Sequence, residues 1–519
     1  MPSFASQGAG PLVEFLRPLL RLFGFDPRKA EQNAWLRKIA VAPENRSLRL
    51  AYADWLVAQG DPLGEFIRVD DELEDMAPDD ERRKMLDDRW ACLAETHAKH
   101  WLAPLKRLGL EPQIAGRFYP HIWMRHGIVE EVSIDLPGIL PEQADRLFDA
   151  APALRKIALQ STRVVSSPTG TDFIEFYPDF PSIAGLPHLE QIRSLELTSQ
   201  HALTAEGVQA LASSPYLRNL TELDLGYNSE LGPEAARALA ASKTLTGVKE
   251  LGLQSCSLGK DGATILADSA NFAHLTRLKV GGNEIGSGGM QALAASPYLK
   301  GLHQLDASNN SVGPEGARAL ADSSNFAALT ALEFGENAIG VEGMRALAAS
   351  ANLAHLTSLS LPRNDLGSDG ARLLAESPQL AQLTVLDLNS NGIEAEGAEA
   401  LAASDHLRRV DELNLAYNPI GDAGARALAA SPILASLTRL DLRQCGIGAD
   451  GIAALAASPG LSKVTILNLG DNPFGSEGAQ ALADSPHLAR LDLLFVDDVS
   501  FGKEGEEILR SRFGSVASF

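Results

Sequence analysis

The chain has 519 residues, a hydrophobic share of 45% and a formal net charge of −22 at pH 7. This composition suffices for a folded core, and the charge opposes binding to nucleic acid or to an anionic membrane. Three cysteines are too few for a disulfide framework, and no apolar stretch approaches the roughly 20 residues that span a bilayer. We therefore expect a cytoplasmic protein that binds no nucleic acid and has no membrane span.

The first 30 residues form a predicted amphipathic leader. Its apolar positions between Leu12 and Phe23 are interrupted by Glu14, Pro18 and Arg21, which excludes a secretory signal. The leader could contact a membrane or a partner helix, or it could dock as a helix on the next domain. Docking is favoured because Pro18 interrupts any long amphipathic helix.

Residues 31–110 contain a stretch that occurs once in the chain, "LAYADWLVAQGDPLGEFIRV" from Leu50 to Val69. Its three acids surround Trp55, which raises the question of a catalytic site. Gly60 suits the end of one helix, and Asp61-Pro62 suits the cap and first residue of the next. We therefore expect Asp61 to cap a helix, Trp55 to lie in the core, and the other two acids to lie on the surface or between helices.

This stretch, with "RKIAVAPENRSLRLAYADWL" (Arg37 to Leu56) and "HAKHWLAPL" (His97 to Leu105), resembles the repeat-companion domain. That domain precedes leucine-rich repeats in large bacterial paralogue families. The resemblance implies an all-helical N-terminal cap and implies no chemistry.

Residues 111–188 are predicted to be degenerate first repeats with an irregular insertion. The strand phrases "IVEEVSIDL" (Ile128 to Leu136) and "LRKIALQST" (Leu154 to Thr162) remain visible. Residues 163–188 carry several prolines and are predicted to be the insertion.

Residues 189–487 repeat one phrase, best seen in "LHQLDASNNSVGPEGARALADSSNFAA" from Leu302 to Ala328. The two initial steps are 28 residues and the next eight are 27, which is typical of a solenoid. The polar residues that end each "LxxLxLxxN" phrase are Gln200, Asn228, Cys256, Asn283, Asn310, Asn337, Asn364, Asn391, Asn418, Cys445 and Asn472.

Each part of the repeat has a physical interpretation. In Leu386-Asp387-Leu388 the leucines face the core and the aspartate faces out, so successive units should form one parallel sheet. The turn asparagine can satisfy buried backbone donors and acceptors, and a thiol can partly replace it at Cys256 and Cys445. A "GARALA"-type helix follows, with a glycine at its start and an acid in its first turn.

The phrase resembles the ribonuclease-inhibitor class of leucine-rich repeats, and its "GAxALA" helices are similar to the GALA subtype of bacterial proteins. The resemblance implies an α/β solenoid: a curved horseshoe with parallel strands inside and helices outside. It also implies protein–protein recognition. Residues 488–519 are predicted to be a C-terminal cap, with a final helix from Glu504 to Phe513.

We find no pattern for catalysis, cofactors or metals. Cys92, His97 and His100 are close in sequence, but zinc needs a fourth ligand, so we expect them on a core helix. "GGNEIGSGG" (Gly281 to Gly289) lacks the Gly-Lys-Ser/Thr ending of a phosphate loop. We expect a non-enzymatic protein with no catalytic, cofactor-binding or metal-binding residues.

The outward strand positions are the candidate site. The central outward residues of the successive strands are largely acidic, and tyrosines and arginines flank them. In the last repeat, the residue predicted at this central position is Asp492. A solvated aspartate needs no partner in this repeat class, but the variety of the flanking residues favours recognition. The predicted partner-binding residues on the concave face are Asp224, Tyr227, Asp306, Glu333, Glu336, Arg363, Asp387, Tyr417, Asp441 and Arg443.

The predicted function is therefore a scaffold that binds a protein partner of basic or mixed charge in an acidic concave face. The alternative is a small-GTPase regulator similar to the Ran GTPase-activating proteins, which share the repeat type. Such a regulator needs a polar residue placed against the nucleotide, and no residue is singled out for that task. The sequence leaves the partner's identity and the oligomeric state open.

Overall fold

A computed structural model of the chain describes residues 26–77, 80–108, 110, 122–134, 139–159, 165–166, 173–174, 179–199 and 203–518. The predicted leader lies almost wholly outside these residues, as do Gln200 and part of the predicted insertion. The described chain divides into two compact units. The first reaches Ser199 and includes Ser214–Leu220, and the second comprises Leu203–Ser213 and residues from Thr221 onward.

The first unit begins with an N-terminal helical region. Its helices are α1 (Pro27–Val41), α2 (Arg46–Ala58), α3 (Pro62–Glu74), α4 (Arg83–Trp101) and α5 (Ala103–Lys106). The Asp61 side chain accepts a hydrogen bond from the Leu63 backbone N–H, and Gly60 has a φ of 73°. The predicted helix end and helix cap are therefore confirmed. No described helix is long and apolar enough to cross a bilayer.

The acids of the Leu50–Val69 stretch hold helices together. Asp54 pairs with Arg68, and the Glu65 Oε1 lies 2.6 Å from the Arg89 Nη2. The Trp55 indole is partly buried and donates a 3.0 Å hydrogen bond to Glu31. The expected positions of the two acids, on the surface and between helices, are confirmed, whereas Trp55 packs against the core and stays partly exposed.

Two sequence-based expectations for these helices are wrong in detail. The spacing of the apolar residues predicts that Leu48, Ala51, Tyr52 and Trp55 share the inner face of α2. The buried residues are instead Arg49, Tyr52, Ala53 and Leu56, because the helix packs one position away from that apolar stripe. On α4, Cys92 and His100 are exposed, because Leu93 and Ala98 form the side that packs inward.

The rest of the first unit contains the degenerate repeats. Its elements are β1 (Ile122–Arg125), β2 (Ile128–Ile134), α6 (Ile139–Ala150), β3 (Lys156–Leu159), β4 (Val165–Ser166), β5 (Phe173–Ile174), α7 (Phe180–Ala184) and β6 (Ser194–Glu196). Strand β2 pairs antiparallel with β1 and parallel with β3, which pairs parallel with β6. Both decayed strand phrases therefore lie in a parallel sheet, and β4 and β5 form a separate antiparallel pair.

The second unit is a solenoid of strand–turn–helix repeats. Its strands are β7 (Glu222–Asp224), β8 (Glu250–Gly252), β9 (Arg277–Lys279), β10 (Gln304–Asp306), β11 (Ala331–Glu333), β12 (Ser358–Ser360), β13 (Val385–Asp387), β14 (Glu412–Asn414), β15 (Arg439–Asp441), β16 (Ile466–Asn468), β17 (Leu493–Phe495) and β18 (Ala517–Ser518). Its helices are α8 (Ala205–Ser213), α9 (Gly232–Ala240), α10 (Gly259–Ala267), α11 (Gly286–Ala295), α12 (Gly313–Asp322), α13 (Gly340–Ala349), α14 (Gly367–Ala375), α15 (Ala395–Ala402), α16 (Gly421–Ala430), α17 (Ala449–Ala456), α18 (Gly475–Asp484) and α19 (Asp498–Phe513).

The strands β7 to β18 pair in chain order, and every pair is parallel. The middle leucine of each strand from β7 to β17 is buried and faces the same residue of the next unit. One register prediction is wrong. Phe495, and not Asp492, occupies the outward position of the last repeat, because β17 begins at Leu493 and places Phe495 opposite Asn468.

A ladder of buried asparagines closes each turn. The Asn337 Oδ1 accepts hydrogen bonds from the backbone N–H groups of Asn310 and Val312, at 3.0 and 3.3 Å. Its Nδ2 donates to the carbonyls of Ala307 and Phe334, at 2.9 and 3.1 Å. The predicted role of this asparagine in satisfying buried backbone groups is confirmed.

The two cysteines in the ladder perform part of this role, because their thiols donate hydrogen bonds as the amide nitrogen does. The Cys256 thiol donates to the Leu225 carbonyl at 3.1 Å, and the Cys445 thiol donates to the Leu415 carbonyl at 3.2 Å. Both side chains are fully buried. Burial raises the pKa of Cys256 to about 11 and that of Cys445 to about 12, so both thiols are neutral donors at pH 7.

A second ladder, of serines, was not recognised in the sequence. The Ser350 hydroxyl donates to the Ala321 carbonyl at 2.6 Å, and Ser377 donates to Ala348 in the same way. Each bond ties the end of one helix to the residue just after the next helix. Side-chain hydrogen bonds therefore join neighbouring repeats at two places, the strand turn and the helix end.

Candidate functional site

The candidate site is the side of the second unit's sheet that faces away from its buried leucines. We define the open sheet face as the first and third residues of strands β7 to β17, which alternate with the buried middle leucine. Its acids are Glu222, Asp224, Glu250, Asp306, Glu333, Asp387, Glu412 and Asp441, and its bases are Arg277, Lys279 and Arg439. The acids thus outnumber the bases on this face.

The ten predicted partner-binding residues divide into two groups. The sheet face itself carries Asp224, Asp306, Glu333, Asp387 and Asp441, all at least partly accessible. The turn that follows the strand carries the other five, namely Tyr227, Glu336, Arg363, Tyr417 and Arg443. The sequence did not separate these two groups, because the strands are only three residues long and the chain turns directly after them.

Aspartate at the third strand position has a structural use. The Asp306 Oδ1 accepts the backbone N–H of Ser308 at 3.0 Å, and the Asp387 Oδ1 accepts that of Asn389 at 3.0 Å. Asn414 makes the same bond to Ala416 at 2.9 Å. Because a neutral amide serves the turn equally well, the turn does not require the negative charge of the aspartates.

The charges on this face are compensated unevenly. The Arg277 guanidinium lies 2.7 Å from Glu250, and Arg439 lies 3.8 Å from Glu412. Burial and the nearby Asp306 carboxylate raise the pKa of Glu333, against the opposing effect of Lys279 and Arg277. The face therefore concentrates negative charge between its cations.

Asp387 lacks such a cation. Burial raises the pKa of the Asp387 carboxyl, the hydrogen bonds from Asn389 and Ser360 lower it, and the Asp441 carboxylate raises it further. The Ser360 hydroxyl lies 3.2 Å from the Asp387 Oδ2. Among the described residues, no ion pair involves Asp387 or Asp441.

The turn residues form their own contacts along one rim of the face. Tyr227, Glu336, Arg363 and Tyr417 each take a φ between 53° and 62°, in the left-handed region. Arg363 pairs with Glu336 at 2.9 Å. Tyr227 and Tyr417 are 59% and 40% exposed, so these two rings are the accessible aromatic groups of the predicted set.

Arg443 links three groups at the rim. Its guanidinium lies 5.6 Å from the centroid of the Tyr417 ring, and its Nε lies 2.7 Å from the Asp471 carboxylate. Its backbone N–H donates to the Asp441 Oδ1 at 2.9 Å. Arg443 is therefore held in place and is a weaker candidate for a partner contact than Tyr227.

A depression of about 330 Å³ lies across strands β13 to β17. It brings apolar and charged side chains together, and several of them were not predicted as site residues. We define the C-terminal groove by the lining residues Val385, Asp387, Glu412, Asn414, Arg439, Asp441, Ile466, Asn468 and Phe495. Of the unpredicted members, Val385, Glu412, Arg439 and Ile466 stand at the first strand position, and Asn414, Asn468 and Phe495 stand at the third.

One other cluster of side chains has the composition of a possible metal site. In the first unit, potential ligand atoms of Asp71, Glu74 and His126 lie within 4.8 Å of one another. However, the Asp71 carboxylate accepts hydrogen bonds from Arg46 at 2.8 Å and Arg49 at 3.2 Å. The arginines already supply the positive charge, so we assign this cluster to the packing of the helical region.

The family comparison agrees with this architecture. A model of the leucine-rich repeat matches eight segments of the chain. These are residues 216–240, 273–294, 328–348, 352–375, 381–402, 408–429, 434–456 and 460–483. The chain therefore contains leucine-rich repeats. No curated protein matches it in sequence.

Several solved structures are similar in fold to this chain. Rad7 in its complex with Elc1 from yeast shares 17% identity, with a TM-score of 0.42, over 62% of this chain and 82% of that one. TLR13 in its complex with ssRNA13 shares 20% identity, with a TM-score of 0.39, over 67% and 43%. An internalin from Listeria monocytogenes shares 18% identity, with a TM-score of 0.35, over 61% and 81%.

Proposed function

We propose that this chain is a non-enzymatic scaffold that binds a protein partner of basic or mixed charge on the open sheet face. The observation that carries the proposal is the excess of accessible acids on that face, at positions where a neutral amide would serve the fold. Asp306 and Asp387 make the same turn bond as Asn414. Their charge is therefore free for recognition, in the reducing, cytoplasmic setting that we propose for the protein.

The test replaces charge and keeps the fold. The variant Asp306→Asn/Glu333→Gln/Asp387→Asn/Asp441→Asn removes four negative charges and preserves the acceptors of the turns. It is compared with wild type in affinity capture from a lysate of the native host. We expect at least one protein captured by wild type to be lost by this variant, and its capture by wild type to weaken with added salt.

The matched control removes the same charge from the helices. Asp268→Asn/Asp322→Asn/Glu376→Gln/Glu399→Gln changes four acids that are exposed on the helical side. This control should capture the same proteins as wild type. Equal losses in both variants would point to net charge alone, and unchanged capture by the face variant would overturn the proposal. Stimulated GTP hydrolysis by a small GTPase would instead favour the regulator similar to the Ran GTPase-activating proteins.

A further inference from the structure

The C-terminal groove has a regular row of side chains along its length. The third residues of strands β13 to β17 follow one another in register as Asp387, Asn414, Asp441, Asn468 and Phe495. The row alternates between an acid and an amide and ends on a phenylalanine that is 37% exposed. An occupant that crosses the strands therefore meets negative charge at every second strand and then an apolar ring.

The acids of this row are oriented by the fold. The Asp387 carboxylate accepts from the Asn389 backbone N–H and the Ser360 hydroxyl, and the Asp441 carboxylate accepts from the Arg443 backbone N–H and the Asn468 Nδ2, both at 2.9 Å. These are hydrogen bonds from neutral groups. Neither carboxylate forms an ion pair among the described residues, although the Arg443 guanidinium, which pairs with Asp471, acts electrostatically on Asp441. Two such oriented carboxylates are complementary to two cationic side chains.

The apolar end of the groove is exposed without a covering segment in the described chain. Phe495 is accompanied by the partly buried Ile466 and by Leu493, which is 38% exposed. Large apolar side chains that stay accessible beside oriented charges are typical of a binding surface. The occupant therefore needs an apolar anchor at this end.

The spacing of the row matches the spacing of side chains on a polyproline II segment. Neighbouring strands lie about 4.8 Å apart, so Asp387, Asp441 and Phe495 follow at intervals of roughly 10 Å. A polyproline II segment has three residues per turn and rises about 3.1 Å per residue, so every third side chain points the same way at intervals of about 9 Å. A β-strand alternates its side chains and would turn each third residue away from the groove.

We propose that the C-terminal groove binds a polyproline-like segment of the partner that carries two basic residues three positions apart and a large apolar residue three positions further on. The basic residues pair with Asp387 and Asp441, and the apolar residue packs on Phe495 and Ile466. This inference rests on the proposed function and names the partner chemistry at one part of the open sheet face. The segment can run in either chain direction.

The test uses fluorescein-labelled peptides with blocked ends and measures anisotropy on the full chain. The probes are Lys-Pro-Pro-Lys-Pro-Pro-Leu, the reversed Leu-Pro-Pro-Lys-Pro-Pro-Lys, and the permuted Lys-Lys-Pro-Pro-Pro-Pro-Leu of identical composition. We expect one of the two spaced peptides to bind about tenfold more tightly than the permuted peptide. Equal binding of spaced and permuted peptides, or no binding of any, overturns the inference.

Matched variants locate the binding. Asp387→Asn/Asp441→Asn should weaken the spaced peptide about tenfold, whereas Asp224→Asn/Asp306→Asn should leave it unchanged. Both pairs remove two charges from aspartates that accept the N–H two residues onward. Equal losses in the two pairs overturn the assignment to the groove.

The apolar anchor is tested separately. Wild type should bind the spaced peptide more tightly than the same peptide with serine in place of leucine. In Phe495→Ala the ratio of these two affinities should be smaller. Circular dichroism and the thermal midpoint confirm that each variant is folded. A preference that stays unchanged in Phe495→Ala overturns the assignment of the anchor. Self-association of the chain that disappears with Asp387→Asn/Asp441→Asn would also overturn the inference, because a second copy would then occupy the groove.

The lysate capture distinguishes a failure of the inference about the C-terminal groove from a failure of the proposed function. In the lysate capture, Asp387→Asn/Asp441→Asn is compared with Asp306→Asn/Glu333→Gln. If the four-acid variant loses a partner but the groove pair retains it, the function stands and the inference fails. If the four-acid variant retains every partner, the proposed function fails, whatever the peptides show.

Discussion

At the residue scale, the turn asparagines satisfy buried backbone groups in successive units. Asn337 is fully buried and bonds backbone groups of its own unit and of the preceding one. Removing a buried partner leaves unsatisfied donors and acceptors, each of which costs free energy. A thiol at the same site keeps one donor and is a weaker acceptor than the amide oxygen, as at Cys256 and Cys445.

We therefore predict a graded loss of stability at this position. Asn337→Ala should lower the free energy of unfolding by about 3 kcal/mol, and Asn337→Cys by roughly half as much, because the thiol still donates. Urea denaturation followed by circular dichroism measures both. Equal losses for the two variants would contradict the account of the thiol as a half-substitute.

The three thiols should differ sharply in reactivity. Cys92 is exposed, whereas Cys256 and Cys445 are buried and have raised pKa values of about 11 and about 12. A thiol reagent at neutral pH should modify only Cys92 in the folded protein and all three cysteines after denaturation. Fast reaction of a second thiol in the native state would show that the ladder opens.

The same pKa values predict a loss of stability in alkali. The folded-state pKa of Cys256 lies above the ordinary value of 9.0, so the folded state binds this proton more tightly than the unfolded state. The contribution is complete below pH 9 and is lost as the pH rises toward the folded value. Denaturation of wild type and of Cys256→Ser between neutral and alkaline pH measures it, and parallel curves would contradict the assignment.

At the element scale, glycines let the helices lie close to one another and to the turns. A Cβ on Gly343 would come within 2.6 Å of the Ile339 Cβ and 3.1 Å of the Ala317 Cβ. Gly340 has open space around it, but its φ is 57°. The two glycines are therefore needed for different reasons, close packing at one and backbone conformation at the other.

This difference gives a test within a single helix. Gly343→Ala should destabilise the protein by about 2 kcal/mol through overpacking, and Gly340→Ala by about 1 kcal/mol through left-handed strain. Midpoints of urea denaturation measure both losses. A larger loss for Gly340→Ala would show that strain, and not helix spacing, limits this element.

At the scale of the whole molecule, the excess of acids on the open sheet face should control partner capture. Because the pKa values of Glu333 and Asp387 are raised, these groups lose their charge at a higher pH than ordinary carboxyls as the solution is acidified. Capture of the partner should therefore weaken before the protein unfolds. Partner capture is measured at a series of falling pH values, and circular dichroism reports whether the protein is still folded at each of them. Capture that persists down to the pH of unfolding would contradict the prediction.

Much of the architecture could be predicted from local patterns. The asparagine spacing, the Asp61 cap and the inward leucines each depend on residues close in the chain, where periodicity and capping chemistry act directly. Five of the ten predicted site residues lie on the sheet face, because side chains alternate along even a short strand. The other five are on the turn, where alternation no longer applies.

The sequence by itself determined the repeat, the parallel sheet and the buried asparagine ladder, because each depends on a pattern that recurs every 27 residues. Only the tertiary structure decided which side chains meet across neighbouring repeats. It placed Phe495 opposite Asn468, brought Val385 and Ile466 into one groove, and left Asp387 without the arginine that Glu412 has. The physical reason is that these contacts depend on strand register and on side-chain reach between units, which a single repeat does not contain.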